Sequence, residues 1–262
     1  MTCPYHIVIP TRLASQRLPN KPLAEIGGRT LIEHVYRRAC EANAASVIIA
    51  TDSKEIHSRA KAFGAHVLMT SAEHESGSDR LAECVERMSW NEQTLVVNLQ
   101  GDEPLMPAAC LDQVAELLSA TPDAAAASLY YPIQTAEEIA DSNVVKVVLD
   151  ASGRALYFSR SVIPHVRGES IEEAVAGGAS WKRHVGLYAY RVGALKAIEQ
   201  GETEALVAEE DRSESRAFKT HWYALAIGFL GVVEFLANAP VFGALLPRDP
   251  LTEQQIRFVA ET

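Results

Sequence analysis

The chain has 262 residues, 48% of them hydrophobic, and a formal net charge of −10. That length and apolar share suit one large α/β domain with a substantial core, and the negative charge excludes nucleic acid as an expected partner, because it opposes a phosphate backbone at long range. Four separated cysteines (Cys3, Cys40, Cys84, Cys110) have no CxxC spacing, which excludes a structural zinc site and a dense disulfide framework.

No signal-peptide pattern is seen at the N-terminus, so the expectation is a cytoplasmic protein with reduced thiols. Tyr5 to Ile9 reads as a first strand, and the loop after Pro10 carries Arg12, Arg17 and Lys21. Leu31, Val35 and Ala39 fall at helical spacing within Thr30 to Ala42. Ser46 to Ala50 is a buried strand ending at Thr51-Asp52, and Ser53 to Phe63 is a helix closed by Gly64. Ala65 to Met69 is a strand, Ser78 to Met88 a helix, and Thr94 to Leu99 a strand that runs into Gln100-Gly101-Asp102-Glu103-Pro104. Pro107 to Ala120 is a helix with proline near its start. Strands that alternate with helices predict an α/β fold with a doubly wound, mostly parallel sheet.

Beyond Ala124 the pattern changes. Ala125 to Tyr131 and Val144 to Leu149 are strand-like, and a turn at Asp150-Ala-Ser-Gly153 leads into Ala155 to Phe158, which reads as a hairpin. Gly168 to Ser180 is small and acidic and reads as a mobile loop; Val185 to Tyr190 is a further strand. The region from about 129 to 192 is expected to form a smaller β-rich lobe, with a tail from about 193. Ala224 to Leu246 is mostly apolar, but Glu234, Asn238 and Pro240 interrupt it, so no membrane span is expected.

Ligands of open α/β sheets bind at the C-terminal strand ends. Arg12, Arg17 and Lys21 follow one such end without a glycine-rich loop, so the cations themselves would carry a polyphosphate; the alternative is a solvated basic loop. Asp102 follows another strand end, a suitable place for a hard cation such as magnesium, with a turn residue as the alternative. Gly101 allows close backbone approach to a ligand. Glu103 reads either as part of the site or as a surface acid. Ser78 is placed to cap the following helix, and Arg80 is a candidate ligand contact. His184 alone is as readily structural as functional.

These segments resemble the 3-deoxy-manno-octulosonate (Kdo) cytidylyltransferases. The motifs are IPTRLASQRLPNKPL, ATD at Ala50 to Asp52, HESGSDRLAE at His74 to Glu83, VVNLQGDEP at Val96 to Pro104, NVVKVVLD at Asn143 to Asp150, ALYFSR at Ala155 to Arg160 and HVGLYAYR at His184 to Arg191. The resemblance implies a nucleotidyltransferase-type sheet in a single domain spanning 1–262. It implies transfer of CMP from CTP to an acidic sugar, with release of pyrophosphate, magnesium as cofactor, a homodimer, and a place in lipopolysaccharide biosynthesis. It also implies triphosphate contacts at Arg12, Arg17 and Lys21, and cytosine and ribose contacts at Ser78, Arg80 and Gln100. Arg160, His184 and Tyr188 would line the sugar pocket, and Asp102 would hold the metal. The last seventy or so residues depart from the family pattern: Ala208 to Phe218 lacks the expected leucines, and the closing metal-binding aspartate has only Asp249 as its counterpart. The alternatives that departure raises are a modified acidic sugar as substrate, or a nucleotide-binding homologue without turnover.

Overall fold

The computed structural model describes residues 4–13, 20–74, 76–199 and 259–261. In chain order the elements begin with β1 (Tyr5–Thr11), a single 3-10 turn (Lys21–Leu23), the short pair β2 (Glu25–Ile26) and β3 (Arg29–Thr30), and α1 (Leu31–Ala39). There follow β4 (Ser46–Thr51), α2 (Lys54–Ala62), β5 (His66–Met69), α3 (Gly77–Arg87), β6 (Leu95–Asn98) and α4 (Ala108–Ala120). The remainder is β7 (Ala124–Pro132), α5 (Ala136–Ala140), β8 (Lys146–Leu149), β9 (Ala155–Ser159), α6 (Ile171–Ala176), β10 (Lys182–Arg191), α7 (Val192–Glu199) and β11 (Val259–Glu261).

The main path through the sheet runs β11-β7-β10-β6-β1-β4-β5. β1 is parallel to both β4 and β6, and β4 is parallel to β5. β10 is antiparallel to both β6 and β7, so β7 again points with β6. The sheet is therefore mostly parallel, with β10 inverted and β11 antiparallel to β7 at one end. The parallel strands read as continuous apolar runs because both faces are covered. Ile7 and Ile9 face a cluster with Ile32 and Val35 of α1, Ile56 of α2 and Leu111 of α4. Val8, Ile48 and Ala50 face Leu81 and Val85 of α3 with Leu195 of α7. Helices on both faces make this the doubly wound architecture the alternating pattern predicts.

The hairpin is present as β8 and β9, and β8 also meets β10 at the Lys146–Arg183 pair. β10 itself leaves the hairpin region and inserts between β6 and β7, joining residues around 184–190 to the main sheet. The Gly168 to Ser180 segment is not simply a loop. Ser170 and Glu173 form a capping box that starts α6, and Ala174 packs with Ile133, Ile139, Val144 and Trp181. No helix among the described residues is long and apolar enough to cross a membrane, and Ala224 to Leu246 lies outside the described residues.

Candidate active site

Strand order reverses at β1, which has β4 on one side and β6 on the other. The loops after β1 and β6 therefore leave adjacent strand ends, the switch-point crevice where such sheets bind ligands. A Cβ on Gly101 would lie 2.9 Å from Thr11 Cβ and 3.0 Å from the Pro10 carbonyl oxygen. The glycine thus serves first to let the β6 loop press against the end of β1, a tighter requirement than approach to a ligand.

That contact brings together residues 81 positions apart. Lys21 Nζ donates to Asp102 Oδ2 at 2.5 Å, with both side chains partly exposed. Lys21 is held by the 3-10 turn it opens, which follows Asn20 in the left-handed region at φ 56°. Arg12 lies directly past β1 and is exposed, and Gln100 lies two residues past β6 and is half-buried. Arg17 lies outside the described residues. Glu103 is only half-exposed rather than a plain surface acid; burial, then the neighbouring Asp102, pushes its carboxyl up to about 7 against the pull of Lys21 and Arg183.

The second loop cluster joins β4, β5 and α3. Arg80 is 2% exposed, and its Nη2 donates to Asp52 Oδ2 at 2.7 Å. Its Nη1 donates to Thr70 Oγ1 and to the Ser71 carbonyl. Arg80, expected as a ligand contact, also clasps the ends of β4 and β5 to the first turns of α3. Ser78 sits in that first turn but is not its cap. Ser76 accepts from the Asp79 amide at 3.1 Å, while the Asp79 carboxylate accepts from the Ser76 amide at 3.0 Å. Asp52 was not singled out, although it follows a buried strand as Asp102 does, and the same strand-end signal finds both. His74 and the Ser71 amide both bond Glu83 Oε2 at 2.7 Å, which fastens the loop ahead of Ser76 to α3.

The remaining predicted residues meet around β10. Between Val185 and Tyr188 its pairing with β7 slips: Val185 faces Leu129 but Tyr188 faces Ser128. The extra residues bend the strand. Across this shift His184 faces Tyr130 and Tyr188 faces Ser128, only two residues apart on β7, and the rings of His184 and Tyr188 lie 5.3 Å apart. Ser128 Oγ lies 2.8 Å from the Leu187 carbonyl, 3.0 Å from the Val185 carbonyl and 3.0 Å from His184 Nε2. Carbonyls only accept, so the hydroxyl proton goes to them and the imidazole Nε2–H donates to Ser128. Burial drives the His184 pKa down to about 3, which keeps the ring neutral. Phe158 of β9 meets the same imidazole edge-on at 4.9 Å. Tyr188 also pairs in register with Asn98 at the end of β6, so β10 connects this cluster to the Gln100–Asp102 loop. Arg160 follows β9, and its Nη1 donates to the Ser142 carbonyl at 3.1 Å.

A cytidylyltransferase family model matches residues 6–221. A 3-deoxy-manno-octulosonate cytidylyltransferase of Thioalkalivibrio sulfidiphilus (strain HL-EbGR7) is 49% identical over 213 residues, covering 81% of this chain and 85% of that protein. Its counterpart in Vibrio campbellii (strain ATCC BAA-1116) is 42% identical over 245 residues, covering 94% of each chain. A solved structure of CMP:2-keto-3-deoxy-manno-octonic acid synthetase complexed with CTP superposes with a TM-score of 0.68 at 39% identity, over 75% of this chain and 78% of that one.

Proposed function

The chain belongs to the cytidylyltransferase family, among the 3-deoxy-manno-octulosonate cytidylyltransferases, and on that premise we propose how its site works. It is a CTP-dependent nucleotidyltransferase that moves CMP from CTP to Kdo and releases pyrophosphate. The observation that carries the site assignment is the Lys21–Asp102 pair at the β1/β6 switch point, with Arg12 directly past the end of β1.

Arg12 and Lys21 hold the triphosphate by charge, and Arg17 of the same loop joins them. Ser78, Arg80 and Gln100 face cytosine and ribose from α3 and the β6 loop, and Arg80 also keeps α3 in place through Asp52. Arg160 takes the sugar carboxylate, a bidentate match for guanidinium. Neutral His184 and Tyr188 orient the sugar hydroxyls. With both anions so placed, the anomeric hydroxyl attacks the α-phosphorus in line, gives up its proton to water and displaces pyrophosphate, so that positioning and charge neutralisation supply most of the catalysis. Asp102 fits magnesium, which takes one or two protein carboxylates and completes its shell with phosphate and water; bound there, the ion neutralises phosphate charge. Asp249, the proposed second ligand, lies outside the described residues. The same proposal extends to a cytoplasmic homodimer acting in lipopolysaccharide biosynthesis.

The test is pyrophosphate release with CTP, magnesium and Kdo. Release that requires all three is expected. Retained CTP binding with no release for any acidic sugar would overturn the transferase assignment.

A further inference from the structure

Lys146 lies in the middle of Val144-Val-Lys-Val-Val148 and is 0% exposed. Lysine is almost never fully buried unless its charge is paired. Here its three ammonium protons go to three main-chain carbonyls: Arg160 at 2.6 Å, Val144 at 2.8 Å and Asp141 at 3.0 Å. The donors are satisfied, but the acceptors are neutral. The Asp141 carboxylate attracts the ammonium, yet it is itself engaged by Asn143, whose amide and side chain donate to Oδ1 at 2.8 and 2.9 Å. Burial lowers the Lys146 pKa, and Arg160 and Arg183 press in the same direction against Asp141. Arg183 is compensated by Glu138 at 2.8 Å. Asp141 offsets one positive charge, so the group of Lys146, Arg160 and Asp141 keeps a net positive charge.

We propose that Lys146 is a positioning residue for recognition of the sugar carboxylate: its buried ammonium ties the Arg160 main chain to the turn at 141–144 and adds positive charge beside that guanidinium. The geometry supports both parts. Lys146 holds the Arg160 carbonyl, while the Arg160 side chain donates to Ser142 within the same turn. One ammonium thus braces both the backbone that carries the guanidinium and the turn that receives it. Lys146 also pairs in register with Ser159 on β9 and with Arg183 on β10, next to His184. It sits where the strands bearing the candidate sugar residues converge. An ammonium at a buried strand position loses its hydration, a cost that three neutral carbonyls offset only in part. A substrate anion supplies the missing countercharge.

The inference rests on the assignment of Arg160 to the sugar carboxylate, so Arg160→Ala is measured first. It should raise KM for Kdo while leaving KM for CTP within about twofold; an unchanged Kdo KM would remove that assignment, and this inference with it. Lys146→Met removes charge and donors, and Lys146→Gln removes the charge but keeps amide donors for the carbonyls. Both should raise KM for Kdo at least about tenfold, as for a lost charge-assisted contact, with KM for CTP within about twofold. With Arg160→Ala behaving as stated, either of two outcomes overturns the role of Lys146 alone. One is a folded variant, by circular dichroism, whose Kdo KM is unchanged or whose two KM values rise together. The other is failure of both variants to fold, which would make Lys146 a residue of the fold only.

Discussion

At the β1, β4 and β6 ends the charged side chains meet one another, Lys21 with Asp102 at 2.5 Å and Arg80 with Asp52 at 2.7 Å. Around the β8–β9 hairpin Arg154 and Arg183 keep carboxylate partners, Asp123 at 2.6 Å and Glu138 at 2.8 Å, but Lys146 meets three carbonyls and Arg160 the Ser142 carbonyl, while neutral His184 meets the Ser128 hydroxyl. The first arrangement suits a ligand that arrives with its own cation. Lys21 and Asp102 are partly exposed, so their mutual attraction is worth only about 1 kcal/mol, and each can turn to a new partner. The second arrangement retains unmatched positive charge and suits a ligand that arrives as a bare anion. The buried Arg80–Asp52 pair differs from Lys21–Asp102 in serving geometry rather than exchange.

The sharpest way to break this comparison is Asp102→Asn. It keeps the shape of the side chain and removes the charge proposed for the metal. Pyrophosphate release should fall about a thousandfold or more, while CTP binding by calorimetry changes less than tenfold. Activity within tenfold of the parent would take Asp102 out of the chemistry.

The next effect is on stability. Asp52→Asn leaves the Arg80 guanidinium buried without a countercharge, at a cost of about 3 kcal/mol in urea unfolding. A loss below about 1 kcal/mol would show that Arg80 finds its countercharge elsewhere and that the two ion pairs are alike.

The third effect belongs to the hairpin side. The folded His184 pKa of about 3 lies below the ordinary histidine value of 6.5. As pH falls below 6.5 the unfolded chain takes up a proton that the fold refuses. The stability from neutral His184 is therefore complete above pH 6.5 and declines toward pH 3. His184→Gln keeps an amide donor for Ser128 and does not titrate. Its stability should fall less on going from pH 6.5 to 5, by up to about 2 kcal/mol. Identical acid profiles would show that the buried imidazole is not what makes this side acid-sensitive.

Much of the first region was legible in the sequence. Apolar runs ending in polar loops mark β1, β4 and β6, and a rule about strand ends selects Arg12, Lys21 and Asp102 without long-range information. The capping signals were legible too, though Ser78 was taken where Ser76 begins α3, because both serines precede an apolar run and only the bond to Asp79 chooses between them. The Ser170-x-x-Glu173 box that starts α6 is a legible signal within a stretch whose acidic composition reads as a loop. Arg80 was recognised as important, but its partner Asp52 lies 28 residues away. Arg17 and Asp249 lie outside the described residues.

By itself the sequence determined the alternation of strands and helices, the strand ends that gather phosphate-binding charge, and the motifs that mark a cytidylyltransferase. These rest on periodicity and short spacings, which local chemistry sets. Only the tertiary structure decided that β10 enters between β6 and β7, that its bulge brings the His184 and Tyr188 rings together, and that Lys146 is a buried cation rather than a surface one. Those depend on which distant strands pair and which face each side chain is given, and a chain pattern repeating every two or 3.6 residues carries no record of a partner tens of residues away.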